Sequence, residues 1–330
     1  MNIAIEHDES LPQQRSCEGC DVTVLLPASF RLESGEPLSQ PELRLRIYGE
    51  TSQPVIAVAG GISSGRAVAD SDDQQGWWCE IVSDRGAIDL EKFCVLSFDF
   101  LPNPLEVART ITTKDQARAL SIALDSLKIE RLFAFVGASY GGMTALAFAA
   151  AFPDRIDNLC MISAAARTHP AATALRGIQR RIVEFASRYG EEKEGVALAR
   201  QLAMINYRTP EEFDARFDNE PGVFAGAPYD VCEYLISRGR AFDMSAQRYV
   251  TLSDSIDRHL VDPSLVQADS LLVAAHSDRL VPAEDMRVLA RNLSSSSLVE
   301  IDSLYGHDAF LKETAVIGPV IKSFLEERLS

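Results

Sequence analysis

The sequence GASYG at positions 137–141 limits the possible folds of this chain more than any other segment. It follows the apolar run LFAFV directly, and the run that comes after it, GGMTALAFAAAFP, is typical of a buried helix. A strand, a tight turn and a helix in this order hold the central serine on a strained bend above a sheet. Glycines on both sides leave room where a side chain would collide with the neighbouring strand or helix. We therefore expect Ser139 to be a nucleophile presented on a strand-turn-helix unit.

A serine hydroxyl is a weak nucleophile unless a base takes its proton and a carboxylate orients that base. His307 lies in LYGHDAFL, after the last apolar strand pattern, and Asp278 lies in HSDRLVP, directly after another. The order Ser, Asp, His, each after a strand, predicts a triad of Ser139, Asp278 and His307. Asp302 and Asp308 are rival acids, although both are close in sequence to His307. The other histidines are His7, His169, His259 and His276.

Short runs rich in branched apolar residues alternate with helical patterns through most of the chain, which is typical of a mostly parallel sheet covered by helices. Before them, DVTVLL and ELRLRIYGE alternate apolar and polar residues, so we expect an antiparallel hairpin at the start of the sheet. This plan resembles the α/β-hydrolase fold, an α/β class. The predicted parallel strands are PVIAVAGG, FCVLSFDF, LFAFVG, NLCMISA, SLLVAAH and SLVEID.

The strand pattern stops between about Ala165 and Asp262, where charged helical sequence takes over. An inserted block of this kind predicts a helical cap over the carboxyl edge of the sheet. We therefore expect a catalytic domain formed by residues 1–164 and 263–330, with a cap (lid) at 165–262 that shapes a substrate pocket. A run of packing helices without any substrate role is the alternative.

The negative charge that develops on a substrate oxygen requires donors that are already in place. The residue after the nucleophile supplies one of them, the backbone N–H of Tyr140. The loop after PVIAVA supplies the second, and there Gly61 or Ile62 is the donor. The sequence does not decide between Gly61 and Ile62.

Composition excludes several other classes of protein. A formal net charge of −16 opposes binding to nucleic acid or to anionic membrane through the overall field. No apolar run approaches the roughly 18 residues that span a bilayer, and the acidic start lacks a secretory pattern, so we expect a cytoplasmic protein. The six cysteines fall mostly in apolar runs, and the C-x-x-C pair Cys17 and Cys20 lacks a second ligand pair, so we expect no metal site.

Several phrases outside the triad resemble the homoserine O-acyltransferase (MetX-like) family of α/β-hydrolase-fold enzymes. They extend from about Gly60 to Leu311, through most of the chain. Singly, the tryptophan pair and GHDAF are moderately specific, whereas in this order the whole set is strongly so. The phrases are GWW followed by GAIDLEKFCVLS, then TITTKDQARA, VGASYGGM, SAAARTHPAATALRGIQRR and YGHDAFL.

The resemblance implies a reaction of methionine biosynthesis in which an acyl group passes from acyl-CoA, through an acyl-serine on Ser139, to the hydroxyl of L-homoserine. Acyl-CoA is then a co-substrate, and no cofactor or metal is required. Asp308 resembles the family residue that holds the substrate's ammonium, and Arg180 aligns with a cap arginine placed to meet its carboxylate. Without the resemblance, Arg180 would be taken for a solvated arginine on a helix. The family also implies a homodimer assembled through the cap.

The chain departs from the usual family pattern at two places. Its oxyanion loop is GGISSGR, and Arg176 stands where family members usually have asparagine. The loop resembles those of family members that use succinyl-CoA, sometimes with L-serine as the acceptor. A succinyl group carries a carboxylate that acetyl lacks, so Arg66 and Arg176 are the candidates to bind it. An esterase or peptidase that uses the same triad is the alternative function.

Overall fold

A computed structural model describes residues 3–4, 19–72, 74–104, 106, 109–222 and 228–329. Cys17 lies outside these residues. The prediction that the C-x-x-C pair forms no metal site therefore stays a prediction. The strands within the described residues are β1 Ile3–Ala4, β2 Cys20–Leu25, β3 Glu42–Tyr48, β4 Val55–Ala59, β5 Val82–Ser83, β6 Ile88–Asp89, β7 Cys94–Phe98, β8 Leu132–Ala138, β9 Ile156–Ile162, β10 Asp269–Ala275 and β11 Ser296–Ile301. Nine of these strands form one sheet in the order β1-β2-β3-β7-β4-β8-β9-β10-β11, and β5 and β6 form a separate small pair.

The centre of the sheet is formed by the strands with continuous apolar sequence. Every residue of β4 and β7 is buried, because helices cover both faces of the sheet there. All pairings from β7 through β4, β8, β9 and β10 to β11 are parallel. The described helices are α1 Thr113–Ser126, α2 Tyr140–Ala151, α3 Pro170–Ser187, α4 Glu192–Tyr207, α5 Pro210–Asp214, α6 Asp230–Arg240, α7 Ala246–Asp257, α8 Ala283–Asn292, α9 Ala309–Lys312 and α10 Thr314–Leu329.

The hairpin predicted at the start of the sheet is confirmed. β2 pairs antiparallel with β3, with Val22 opposite Leu45, and β3 continues antiparallel onto β7. The alternation of buried and partly exposed residues along β2 and β3 matches their position near the sheet edge, where the two faces of a strand differ. The predicted α/β-hydrolase fold is therefore the observed one.

Two apolar layers, one on each face of the sheet, hold the domain together. On one face α1, α2 and α8 bury side chains such as Leu124, Phe148 and Met286. On the other face α10 packs Ile321 against the layer that contains Trp78. Because both faces are covered, the carboxyl edge of the sheet is where a pocket can open.

The segment 165–262, called the cap segment below, contains α3 to α7, and none of its described residues lies in a named strand. It has a small core of its own in which Val183, Val196 and Tyr249 pack together. Leu252 of α7 joins the main core instead. The division of the chain into two domains stays a prediction. Among the described residues, no helix is both long and apolar enough to cross a membrane.

Candidate active site

Ser139 occupies the turn between β8 and α2 with a strained backbone. Its φ is 54° and its ψ is −122°, a region that residues other than glycine rarely adopt. The turn is held by backbone bonds, from the N–H of Ser139 to the carbonyl of Ile162 at 2.9 Å and from Gly141 to the carbonyl of Gly60 at 2.7 Å. The sheet therefore fixes the geometry that lifts the serine hydroxyl away from the backbone.

The two glycines of the turn are required by close packing of the backbone. A Cβ on Gly141 would lie 2.1 Å from the carbonyl oxygen of Ala59, and one on Gly137 would lie 2.5 Å from that of Gly141. Neither obstacle can move, since both are main-chain atoms. The sequence argument for the two flanking glycines thus has its physical cause in β4 and in the first turn of α2.

Ser139, His307 and Asp278 form one hydrogen-bonded chain. His307 Nδ1 lies 2.7 Å from Asp278 Oδ2, and Nε2 lies 2.8 Å from Ser139 Oγ. Since a carboxylate accepts, Nδ1 carries the proton and Nε2 is free to accept from the serine. Asp278 is in turn fixed by the backbone N–H groups of Leu280 and Val281, at 2.9 and 3.0 Å from Oδ1. This is the arrangement that activates a serine.

The electrostatic environment of His307 suits a base. Burial of the ring lowers the pKa of His307, but the charge and the hydrogen bond of Asp278 oppose burial, with a further contribution from Asp308, and the net pKa is raised. The ring is 7% exposed and Asp278 is 4% exposed. A buried carboxylate beside the imidazole therefore stabilises the imidazolium that forms when the serine loses its proton.

Two other histidines, His259 and His276, are hydrogen-bonded to groups other than Ser139. His259 follows the end of α7, and its ring is buried between the hydroxyl of Thr113 and the carbonyl of Ala165, at 2.8 and 3.1 Å. His276 is exposed after β10, where its ring lies 2.8 Å from both Glu300 and Asp302. Asp302, a rival acid in the sequence, therefore contacts a different histidine.

The predicted oxyanion donors line the same pocket as Ser139. Tyr140, Gly61 and Ile62 all border it. Tyr140 begins α2, so its N–H has no acceptor within the helix. Among the described residues, the N–H groups of Gly61 and Ile62 have no acceptor either. The geometry thus provides unpaired amides from both expected loops, and their role as oxyanion donors stays a prediction.

The tryptophan pair connects the oxyanion loop to the histidine loop. The rings of Trp77 and Trp78 stack at 5.3 Å. Trp77 Nε1 donates to the carbonyl of Gly65 at 2.9 Å, and Trp78 Nε1 donates to the carbonyl of Phe310 at 2.9 Å. The segments GWW and GHDAF lie far apart in the sequence, but the tryptophan pair is hydrogen-bonded both to the oxyanion loop and to the segment that carries His307.

Asp308 is the acidic group at the edge of the pocket. Its Oδ2 lies 3.3 Å from the Nε of Arg208, whose side chain is only 6% exposed. Arg208 also lies near Glu212, and its guanidinium is hydrogen-bonded to the hydroxyl of Tyr234. Sequence reasoning missed Arg208, because nothing in YRTPEEF distinguishes it from an ordinary arginine at a helix end.

The cap segment closes the pocket with cationic and aromatic side chains. Arg176 and Arg200 both line it, together with Tyr207 and Tyr249. The guanidinium of Arg200 lies over the rings of Tyr207 and Phe242, 5.3 and 4.8 Å from their centroids. Arg200 and the two tyrosines were not predicted, since helical periodicity does not indicate which face of a cap helix turns towards the serine.

Two predicted substrate residues lie away from this pocket. Arg180 does not line it but borders a neighbouring surface cavity, and its Nη1 donates to Ser253 at 3.0 Å and to Asp257 at 2.6 Å. Arg66 bridges Asp21 and Asp99, with ion-pair distances of 2.9 and 2.7 Å. The structure therefore brings Arg176 and Asp308 to the serine, and leaves Arg66 and Arg180 engaged with carboxylates outside the pocket.

Comparison with known proteins connects this geometry to a family. The model of the α/β hydrolase fold family matches residues 87–314. A homoserine O-succinyltransferase from Xanthomonas campestris pv. campestris is 41% identical over 294 residues, which cover 87% of this chain and 80% of the relative. The chain belongs to the homoserine O-acyltransferase family of α/β hydrolases. A homoserine O-acetyltransferase from Symbiobacterium thermophilum is 29% identical and covers 90% of this chain and 91% of the relative.

Solved structures with the same fold include both acyltransferases and esterases. A homoserine O-acetyltransferase from Bacillus anthracis has a TM-score of 0.84 at 17% identity, covering 93% of this chain and 98% of that one. An acetylester hydrolase from Corynebacterium glutamicum has a TM-score of 0.78 at 16% identity, covering 93% and 96%. Acyltransferases of this family and esterases therefore share the fold, and the fold alone does not distinguish them.

Proposed function

We propose that the protein transfers an acyl group from acyl-CoA to the side-chain hydroxyl of L-homoserine, through an acyl-serine on Ser139. The observation that carries the proposal is the chain Ser139–His307–Asp278, hydrogen-bonded at a pocket that also presents Asp308. Membership in a family whose relatives are named homoserine O-succinyltransferase and O-acetyltransferase supports it. L-Serine is the alternative acceptor.

In the first half-reaction Ser139 Oγ attacks the thioester carbonyl while its proton passes to Nε2 of His307. The oxyanion is stabilised by the N–H of Tyr140 and by the N–H of Gly61 or Ile62. As the tetrahedral intermediate collapses, the C–S bond breaks, and the imidazolium returns the proton to the departing CoA sulfur. The product is an ester on Ser139.

In the second half-reaction the amino acid takes the position that CoA has left. His307 accepts the proton of its hydroxyl, the oxygen attacks the acyl-serine, and the proton returns to Ser139 as the product ester leaves. Asp308 lines the pocket next to His307, and Arg208 is ion-paired with it at 3.3 Å. These opposite charges complement the ammonium and carboxylate of an α-amino acid, an interaction that water and simple alcohols cannot make.

Succinyl-CoA is the proposed donor. The support is twofold: the Xanthomonas relative at 41% identity is named a homoserine O-succinyltransferase, and the pocket presents the cations Arg176 and Arg200. No cofactor is part of this mechanism, because every proton transfer is made by His307. Among the described residues no group of three His, Cys, Asp or Glu side chains is placed to bind a metal ion.

The proposed place of the reaction is methionine biosynthesis in the cytoplasm, where acyl-CoA is made and cysteines stay reduced. Described cysteines at positions 20, 79, 94, 160 and 232 are all free.

A homodimer through the cap segment is part of the proposal. Along α3, Ile178 is 51% exposed and Phe185 is 61% exposed, seven residues apart on one helix face. Tyr189 follows at 70% exposure, and its ring lies 5.2 Å from that of Phe185. Apolar surface of this kind favours association with a second copy. Sedimentation velocity of the wild-type protein and of Phe185→Asp tests it: a monomeric wild type contradicts the dimer.

The decisive experiment measures CoA release by the purified protein with succinyl-CoA or acetyl-CoA, with and without L-homoserine or L-serine. We expect release to depend on the amino acid and to be accompanied by the O-acyl amino acid, identified by mass spectrometry. CoA release at the same rate without an acceptor would instead favour the esterase alternative. Asp308→Asn should raise the KM for the amino acid while leaving acylation of the serine by acyl-CoA in place.

A further inference from the structure

Three consecutive residues of the cap segment, Tyr207, Arg208 and Thr209, contact the loop that carries the catalytic base. These three residues, called the junction below, connect α4 to α5, and the base loop comprises residues 302–308, between β11 and α9. Arg208 is 6% exposed and Thr209 is 4% exposed. The junction is therefore packed inside the protein, against the base loop.

The hydroxyl of Thr209 forms a hydrogen bond between the cap segment and the base loop. It donates to the carbonyl oxygen of Leu304 at 2.5 Å, three residues before His307. The same oxygen accepts from the backbone N–H of Glu212 at 3.0 Å, as the N-cap of α5. Because this hydroxyl both donates and accepts, groups from two different segments fix its position.

Gly306 allows a second close approach of the junction to the base loop. Its φ is +58°, and a Cβ at this position would lie 2.6 Å from the backbone carbonyl oxygen of Tyr207. A side chain would therefore be strained by the backbone conformation and obstructed by a main-chain atom. The backbone directly before His307 thus lies against the backbone of the cap segment.

The junction also borders the base itself and the residue after it. The ring of Tyr207 lies 5.9 Å from the imidazole of His307, measured between centroids. Arg208 is ion-paired with Asp308 at 3.3 Å. Together with the two contacts above, the junction touches the base loop on both sides of the imidazole and at the imidazole.

The triad tolerates little displacement of the base loop. His307 lies 2.8 Å from Ser139 Oγ at one nitrogen and 2.7 Å from Asp278 Oδ2 at the other, so one ring position must satisfy both bonds. Outside the cap segment, Ser277 Oγ donates to the carbonyl of Ser303 at 2.6 Å, four residues before the base. A displacement of about 1 Å in a reacting group is enough to slow a reaction about 100-fold.

We propose that Thr209 is a positioning residue for the catalytic base: its hydroxyl holds the base loop in the geometry in which His307 reaches both triad partners. This inference rests on the proposed role of His307 and goes beyond it, because it makes the cap segment part of the catalytic geometry. Thr209 does not line the catalytic pocket. Loss of its hydroxyl should therefore slow acylation of the serine without weakening substrate binding.

Thr209→Val and Thr209→Ser separate the hydroxyl from the shape of the side chain. Valine has a similar shape but loses the donor to Leu304 and the N-cap of α5, whereas serine keeps both functions. Thr112→Val is the matched control. Thr112 is the N-cap of α1, accepts from the N–H of Asp115 at 3.2 Å, and donates to the carboxylate of Glu33. The control loses the same two functions away from the base loop.

The first measurement is the burst of nitrophenol from p-nitrophenyl acetate, which follows acylation of Ser139 without CoA or an amino acid. Circular dichroism and the unfolding midpoint establish that each variant is folded at the assay temperature. We expect Thr209→Val to lower the acylation rate constant about 10- to 100-fold, with the Kd for the ester changed less than about twofold. Thr209→Ser and Thr112→Val should stay within about threefold of wild type. A wild-type rate in Thr209→Val, or an equal loss in Thr112→Val, would overturn the proposal.

The second measurement requires no substrate. The proton between His307 Nδ1 and Asp278 Oδ2 gives a downfield signal in the ¹H NMR spectrum, which is assigned by its loss in His307→Gln. We expect this signal to shift or broaden in Thr209→Val and to keep its wild-type position in Thr209→Ser and Thr112→Val. An unchanged signal in a Thr209→Val protein that acylates slowly would contradict the positioning role.

The burst experiment also distinguishes this inference from the proposed function. If the wild type forms no O-acyl amino acid but Thr209→Val alone is slow in acylation, the transferase fails and the positioning role stands. If the wild type forms the O-acyl amino acid and Thr209→Val acylates at the wild-type rate, the transferase stands and the positioning role fails.

Discussion

The phenol oxygen of Tyr140 lies 2.7 Å from the hydroxyl oxygen of Ser255, so the residue that follows the nucleophile is bonded to cap helix α7. Both residues are buried, and Gln116 Nε2 donates to the same phenol at 3.3 Å. Burial raises the pKa of Tyr140 to about 12, so the phenol stays protonated over the working range. One side chain thus joins the nucleophile turn to the cap segment.

Removing this bond should destabilise the protein measurably. We expect Tyr140→Phe and Ser255→Ala each to lower the free energy of unfolding by about 1 kcal/mol, because each leaves the partner hydroxyl short of one buried hydrogen bond. Urea denaturation of the two single variants and of the double variant measures the coupling between them. Strictly additive effects would show that the two hydroxyls do not stabilise each other.

Ser139→Ala should abolish formation of the acyl-enzyme while the fold persists. The substitution removes one partly buried hydroxyl oxygen and leaves the backbone bonds of the turn in place. Intact-protein mass spectrometry after incubation with succinyl-CoA should show one added acyl group on the wild type and none on the variant. Ser126→Ala, on the exposed surface of α1, is the control that should still be labelled. A labelled Ser139→Ala protein would exclude this serine as the nucleophile.

Asp278→Asn should shift the pH profile as well as the rate. His307 works as a neutral base, and its pKa is raised in the folded protein, so activity of the wild type falls as the pH drops below that raised pKa. Without the carboxylate the pKa of His307 falls and the acidic limb of kcat/KM moves to lower pH. The amide also favours the wrong tautomer, so we expect kcat to drop by roughly 10³ to 10⁴-fold. An unmoved acidic limb would contradict the assignment of Asp278.

His259 should make the protein less stable in acid. Burial lowers the pKa of His259 from 6.5 to about 4, so the unfolded chain binds a proton at this residue more readily than the folded one. The contribution of the neutral His259 ring to the free energy of unfolding is fully present above the unfolded pKa. About 3 kcal/mol of it is lost as the pH falls from about 6.5 to about 4. Urea denaturation across this range, on wild type and on His259→Gln, should show a weaker pH dependence in the variant. Identical slopes would indicate that other groups dominate.

Arg66→Ala should affect stability and leave donor selectivity unchanged. Arg66 bridges Asp21 and Asp99, but in the variant Asp21 keeps its bond to Arg46 at 2.8 Å. With the side chain 30% exposed, we expect a loss of about 1–2 kcal/mol. The ratio of succinyl-CoA to acetyl-CoA activity should match wild type. A selective loss of succinyl-CoA activity would contradict this prediction and would indicate that Arg66 binds the acyl donor.

The parts of the site that belong to strand ends were predictable from sequence. Ser139, Asp278 and His307 each follow a strand with an apolar pattern, and parallel strands bring their carboxyl ends to one edge of the sheet. Once the strands are identified, adjacency of the three side chains follows from topology. The glycines of the nucleophile turn were equally predictable, since their cause is local crowding.

The substrate side of the pocket was not predictable in the same way. Arg66 and Arg176 were equal candidates in sequence, and they differ only in partners from other elements: two carboxylates around Arg66, and one carboxylate shared with Arg180 at Arg176. Helical periodicity defines a buried face but not the helix that covers it. Arg200 was missed for this reason, whereas Arg208 follows the end of α4 in a segment that does not distinguish it from an ordinary arginine.

Helix α7 limits how this protein can be re-engineered. It anchors the two arginines through Asp257, borders the pocket through Ser253 and Ile256, and reaches the core through Ser255. Arg248 adds a bond to the carbonyl of Phe100 at 2.9 Å. A chimera that exchanges the cap segment for that of another family member must therefore retain α7, or bring its partners at Phe100 and Tyr140 along with it. Substrate specificity in this enzyme therefore cannot be transferred with the cap segment alone.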